Sequence, residues 1–175
     1  MSILYNVRIY SLIFTLFFIT GCQEDLFPSN DQLPENATAI VGTTTDDFSF
    51  TLSTSNTELI SSRLQTADAV VLYFTMWCPV CDSHMQYIRN NFRTEYNNVE
   101  FIFVDYVSGS INFSSRSQRS SGYSDFDVIA DIDDNLQAIF SGTMATTVVI
   151  DKNFIIKMNE AFKTGDKLKS TLDLL

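Results

Sequence analysis

Apolar residues recur along the chain in three rhythms, and each predicts a different element. Phe48, Phe50 and Leu52 alternate with polar neighbours, the pattern of a half-buried strand. Ala69-Val70-Val71-Leu72-Tyr73-Phe74 is an unbroken apolar run between turn residues, as in a central parallel strand covered on both faces. Cys81, Met85, Ile88 and Phe92 then follow at intervals of four, three and four, which is one face of a helix. Its opposite face carries Asp82, Arg89, Asn90 and Arg93. Val99 to Tyr106 is a second buried strand, so strand, helix and strand make a βαβ unit.

The remaining segments are shorter. Asn56 to Leu64 predicts a short helix capped by Asn56 or Thr57. Residues 107 to 124 are rich in Ser and Gly, with Arg116 and Arg119 as their only charges, and predict a long loop enclosing a weak helix. A short strand around Val128-Ile129, a helix from Asp133 to Phe140 and a strand from Thr146 to Ile150 follow. Asp151-Lys152-Asn153 turns the chain into a strand from Phe154 to Met158, and a last helix runs from Asp166 to Leu174.

The first residues belong to a different regime. Arg8 precedes an apolar run from Ile9 to Thr20, the charge-then-hydrophobe order of a secretory signal. That run is shorter than the ~20 residues needed to span a bilayer. Gln23 to Asp47 is polar, aperiodic and contains two prolines, which predicts a tether. The expected organisation is a leader over residues 1–21, a tether over 22–47 and one domain over 48–175.

Composition narrows the function. A chain of 175 residues with 45% hydrophobic and 13% aromatic content forms a packed domain rather than a disordered tail. Its 21 acidic against 11 basic residues give a net charge of -10, which argues against electrostatic binding of nucleic acid or anionic lipid heads.

The chemistry concentrates in Thr75-Met76-Trp77-Cys78-Pro79-Val80-Cys81. Two cysteines three apart can hold a metal, staple a turn or pass electrons. A structural zinc site needs four ligands, and beyond Cys78 and Cys81 the mature chain offers only His84 and carboxylates, so no metal is expected. A disulfide across so small a loop stabilises little. Electron transfer suits the placement. Cys78 heads the helix, where partial positive charge favours thiolate, and Pro79 fits the first turn, where its missing N–H costs nothing. Cys81 lies on the inward stripe, so one sulfur is open to attack a disulfide while the other is shielded and resolves it.

A buried strand, then Trp-Cys-Pro-Val-Cys, then an amphipathic helix resembles the thioredoxin superfamily. From about Phe48 onward the chain resembles its exported TlpA/ResA-like branch. Asp47-Phe48-Ser49-Phe50-Thr51-Leu52 is similar to that branch's opening segment, and Gly142 to Asp151 to its second active-site loop and following strand. The resemblance implies an α/β, thioredoxin-like fold with a central mixed β-sheet flanked by helices. It implies Cys78 as nucleophile, Cys81 as resolving thiol, and Trp77, Pro79, Met144 and Ala145 against the substrate. No cofactor is required; the partners are a disulfide-containing protein and an upstream dithiol donor.

Ile19-Thr20-Gly21 before Cys22 likewise resembles the bacterial lipobox, against an ordinary leader or an uncut anchor as alternatives. It implies lipidation of Cys22 and an exported, membrane-anchored protein facing the periplasm.

Two positions depart from the family. Its second loop carries a cis-proline where this chain has Ala145, which implies a trans bond at Met144–Ala145 and a reshaped loop beside Cys78. Its buried acid corresponds to Leu72, for which Asp105 is the weak substitute. His84 is expected to face solvent. With no cation between the cysteines, thiolate stabilisation is moderate and a reductase is favoured over a strong oxidant. The rival functions are a binding lipoprotein that has lost turnover and a thiol peroxidase. The peroxidase motif Pro-x-x-x-Thr/Ser-x-x-Cys lacks its proline here.

Overall fold

Strand β3 (Ala69–Thr75) is the spine, with all seven residues buried. Its apolar run leaves no side suited to water, so both faces must be covered. The computed structural model describes residues 39–175, and the expected leader and Cys22 lie outside them.

Four strands join β3: β4 (Val99–Asp105), β5 (Asp127–Ala130), β6 (Thr146–Asp151) and β7 (Ile156–Ala161), in the order β5-β4-β3-β6-β7. Strand β4 is parallel to β3 in a register running from Ala69 opposite Val99 to Thr75 opposite Asp105. Strand β5 is parallel to β4, whereas β6 and β7 form an antiparallel hairpin on the other side. The sheet is therefore mixed.

Alternation along β3 divides the core. Val71 and Tyr73 join Cys81, Met85, Ile88 and Phe92 on one face; Val70, Leu72 and Phe74 join Ile60, Leu64, Leu136 and Phe140 on the other. The first face carries helix α2 (Pro79–Tyr87), continued by a wide π turn over Ile88–Phe92 and a last short turn. Nine α-helical residues are too few to be stable alone in water. Burying Met85, Ile88 and Phe92, each worth ~2 kcal/mol, is what fixes this helix beneath the sheet. A further helix, Asp166–Leu172, packs on the same side through Leu168 and Leu172.

Four local expectations change. Over 56–64, residues Thr57–Leu59 (β2) pair with Ser49–Thr51 (β1) as a hairpin, and only Ile60–Leu64 (α1) is helical. The strand pairing supplies backbone partners that a short helix would leave exposed. Residues Ile111–Ser120 form a firm helix with Ser110 as its cap. No apolar stripe announced it, because its inward positions are Ser114 and Gln118. Gln118 is held by Ser53 at 2.5 Å and donates to the carbonyls of Tyr123 and Phe126. The last strand begins at Ile156, since Phe154 takes a left-handed turn conformation.

The fourth change concerns the expected tether. The N–H groups of Gly42 and Thr45 donate to the carbonyls of Ile156 and Phe154, and Ile156 N–H donates to Thr43. Ala39 is buried, and the Asn159 amide bridges its carbonyl to that of Phe140. Residues 39–45 are thus part of the packed unit. A polar segment that binds through its backbone has the same composition as a free linker.

Candidate active site

Where β3 ends, the chain turns sharply at Trp77, whose φ is 58° and whose N–H donates to Thr75 Oγ1 at 3.1 Å. Cys78 follows in extended conformation as the N-cap of α2, with Pro79 in the first turn. Its sulfur accepts the Cys81 N–H at 3.2 Å, as a serine cap oxygen would.

The two sulfurs lie 2.8 Å apart as free thiols. Cys78 is part-exposed and Cys81 is 0% exposed. Burial pushes the Cys78 thiol up, but hydrogen bonds from the Cys81 side chain and from the N–H groups of Cys81 and Val80 outweigh it. The net effect holds Cys78 below its ordinary value. Burial and then the bond to Cys78 push Cys81 above its ordinary value. One thiol is prepared to ionise and its neighbour to keep its proton.

The second loop lies over this pair. Met144 Sδ is 3.6 Å from Cys78 Sγ. The Met144–Ala145 bond is trans, as expected from the missing proline. Ala145 has φ 68°, a left-handed conformation that costs an L-residue about 1–2 kcal/mol. Its N–H donates to Phe74 O at 3.0 Å, and its carbonyl accepts from Phe162 N–H and Thr147 Oγ1. Ala145 is buried with both backbone groups engaged, whereas Met144 stays part-exposed. Of these two, only Met144 leaves side-chain surface open beside Cys78. Pro79 is exposed beside Met76 (42%) and Val80 (41%), making an apolar rim around Cys78.

The Trp77 ring lies 6.5 Å from that of Tyr123, and its Nε1 is buried without a hydrogen-bond partner. Tyr123 donates to Asp82 Oδ1 at 2.7 Å, so Asp82, in the first turn of α2, ties the helix start to this aromatic wall. Arg116 and Arg119 remain at the surface, Arg116 over Phe113 and Arg119 on Ser115.

Beneath the thiols the structure replaces the expected residue. Leu72 belongs to the opposite face of the sheet, and the β3 side chain in the cysteines' cluster is that of Tyr73. The Tyr73 hydroxyl lies 3.0 Å from His84 Nδ1, and Tyr73 packs in the same buried cluster as Cys81. Burial first, and then the neighbouring cysteines, raise Tyr73 well above the usual phenol range, so it stays neutral. His84 does not face open solvent. Its ring is half-buried at 4.7 Å from Phe162, and burial lowers its proton affinity. Period-two alternation in β3 and the three-residue step from Cys81 could have found both residues. Asp105 acts as a turn residue, its Oδ1 accepting the N–H groups of Val107 and Ser108.

Residues 31–174 match the Redoxin family over most of the chain. The protein is a redoxin. A comparison with curated proteins gives no match. Among solved structures, an exposed lipoprotein thioredoxin from Streptococcus pneumoniae is 18% identical, with a TM-score of 0.62 over 74% of this chain and 100% of its own. Peroxidoxin BcpB from Mycobacterium tuberculosis is 18% identical, with a TM-score of 0.60 over 77% and 95%. A secreted disulfide oxidoreductase of the same organism, homologous to Escherichia coli DsbE, is 16% identical, with a TM-score of 0.56 over 74% and 96%. At such identities the likeness is one of fold. This redoxin has the thioredoxin-like α/β fold, a mixed five-stranded sheet flanked by helices.

Proposed function

We propose that this redoxin is a membrane-tethered thiol–disulfide oxidoreductase that works outside the cytoplasm, as a reductase of protein disulfides. The carrying observation is the asymmetric pair: sulfurs 2.8 Å apart, one part-exposed with a lowered pKa, the other buried with a raised one.

In this reading the Cys78 thiolate attacks a substrate disulfide, forming a mixed disulfide and releasing one substrate thiolate. Cys81 then loses its proton and attacks Cys78. The Cys78–Cys81 bond forms, the bond to the substrate breaks, and the second substrate thiolate leaves. Two electrons pass from the dithiol to the substrate, and another dithiol protein restores them. No cofactor takes part. Met144, Pro79 and Trp77 line the contact surface, with Ala145 shaping the loop.

The tether reading rests on Cys22 in its lipobox-like context. The exported proteins among the structural neighbours support the location. The absence of a cation between the cysteines supports reduction over strong oxidation.

The test is insulin reduction with dithiothreitol as donor. Fast precipitation by the wild type and none by Cys78→Ser is the expected result. No turnover by a folded protein with two free thiols would instead support a binding protein. Cys81→Ser should accumulate the mixed disulfide and so capture the substrate.

A further inference from the structure

The exchange proposed above leaves one proton without a destination. Cys81 must ionise to attack, yet it is 0% exposed, and buried Asp105 at the end of β4 spends Oδ1 on the Val107 and Ser108 N–H groups while its Oδ2 hydrogen-bonds to neither sulfur. Tyr73 shares the buried cluster of Cys81, and its hydroxyl reaches His84 Nδ1 at 3.0 Å. His84 is the only histidine of the chain.

We propose that Tyr73 and His84 form the proton relay of the resolving step, with the Tyr73 hydroxyl taking the proton from Cys81 while passing its own to His84 Nδ1. The inference rests on the disulfide-exchange function. Before the step, Cys81 S–H donates to Tyr73 Oη and Tyr73 O–H donates to Nδ1, with the imidazole proton on Nε2. After it, Nδ1–H donates to Tyr73 Oη and Tyr73 O–H donates to the Cys81 thiolate. Cys81 then attacks Cys78, the new disulfide forms, and the substrate thiolate leaves and takes a proton from water. His84, half-buried, returns the relayed proton to solvent.

The surroundings suit these roles. Tyr73 is fixed edge-on against Phe103 and Phe162, so its hydroxyl has a set direction. His84 is faced by Tyr73 from β3 and by Phe162 beyond β7. Burial lowers its proton affinity, which favours the neutral ring able to accept. In this relay Tyr73 takes the thiol proton directly, while His84 acts through it and positions the proton's exit.

The experiment uses reduced protein mixed with a disulfide substrate in single turnover, following mixed-disulfide formation and resolution separately across pH. In the wild type, resolution should be nearly flat through neutrality and fall as His84 protonates below pH 6.5. Tyr73→Phe keeps the ring but removes the hydroxyl, and should slow resolution by about 100-fold. His84→Gln should lose the acidic inflection, its resolution rate rising with hydroxide through neutrality. Mixed-disulfide formation, measured in a Cys81→Ser background, should change far less than resolution does. Resolution with wild-type rate and pH profile in both variants overturns the relay. Nitrogen NMR of His84 in the reduced wild type is a second check: an Nε2–H tautomer is expected, and Nδ1–H in the neutral ring also overturns it. If the wild type and Cys81→Ser form no mixed disulfide, it is the exchange function that fails.

Discussion

Met144 Sδ lies 3.6 Å from Cys78 Sγ, so the second loop covers the part-exposed thiol with a thioether in place of a proline ring. Sulfur is soft and uncharged, and it leaves the thiolate's charge to the helix start. Replacing it with a cation should be felt at once. Met144→Lys is expected to lower the Cys78 pKa further, by about 1 unit at this part-exposed position. The pH dependence of iodoacetamide labelling reads the shift, and an unmoved midpoint would show that Met144 and Cys78 are apart in solution.

The two thiols should differ in reactivity before any substitution. In the reduced wild type, Cys78 is expected to alkylate with a midpoint below 9.0, while Cys81 labels slowly and only at higher pH. Peptide mapping of singly labelled protein identifies the faster site. Equal labelling would remove the asymmetry on which the proposed exchange depends.

Ala145 tests the loop's backbone. At φ 68° glycine bears no Cβ penalty, so Ala145→Gly should stabilise by about 0.5–1 kcal/mol after its larger unfolded-state entropy is subtracted. Ala145→Pro should destabilise by more than about 2 kcal/mol, because proline needs negative φ and removes the N–H that donates to Phe74. Urea unfolding of the reduced proteins measures both. A stable, more active Ala145→Pro protein would show that the loop readily adopts another shape.

His84 should also leave a signature in stability. Its proton affinity is lower folded than unfolded, so below the ordinary value of 6.5 the unfolded chain binds more protons. The resulting stability is therefore present above pH 6.5 and is lost as pH falls through the folded value. Wild type minus His84→Gln, compared by urea unfolding at about pH 7.5 and about pH 5, isolates it. Asp131, whose pKa burial raises, works in the opposite direction from 3.8 upward, but it is present in both proteins and cancels. A difference that grows on acidification would reverse the assigned sign.

Gly142 supports the loop from below. A Cβ there would clash with the Cδ1, Cε1 and Cζ edge of the buried Phe74 ring. Gly142→Ala should therefore cost about 1–3 kcal/mol through overpacking. A melting temperature equal to wild type would show that the ring yields.

Much of the site was legible because its rhythms are strong. The run through β3 and the Cys81-Met85-Ile88-Phe92 stripe bury what they should, and together they place Cys78 at the head of a helix and Cys81 beneath. Legibility failed where apolar spacing carries no signal. Helix Ile111–Ser120 turns Ser114 and Gln118 inward, and residues 39–45 dock through backbone groups that composition does not report. The residue below the thiols was missed by a single step along β3. A match to the family selected Leu72, whereas strand alternation puts Tyr73 on the cysteines' face. His84 was misread as surface because a polar residue at the margin of a helical stripe has the spacing of either environment.

The lone imidazole beside Tyr73 also has a practical use at the bench. No second histidine exists to charge when a reaction is mildly acidified. In the proposed relay, lowering the pH by a unit or two charges that ring as well as suppressing thiolate, so a short acid pulse should slow resolution and hold captured mixed disulfides.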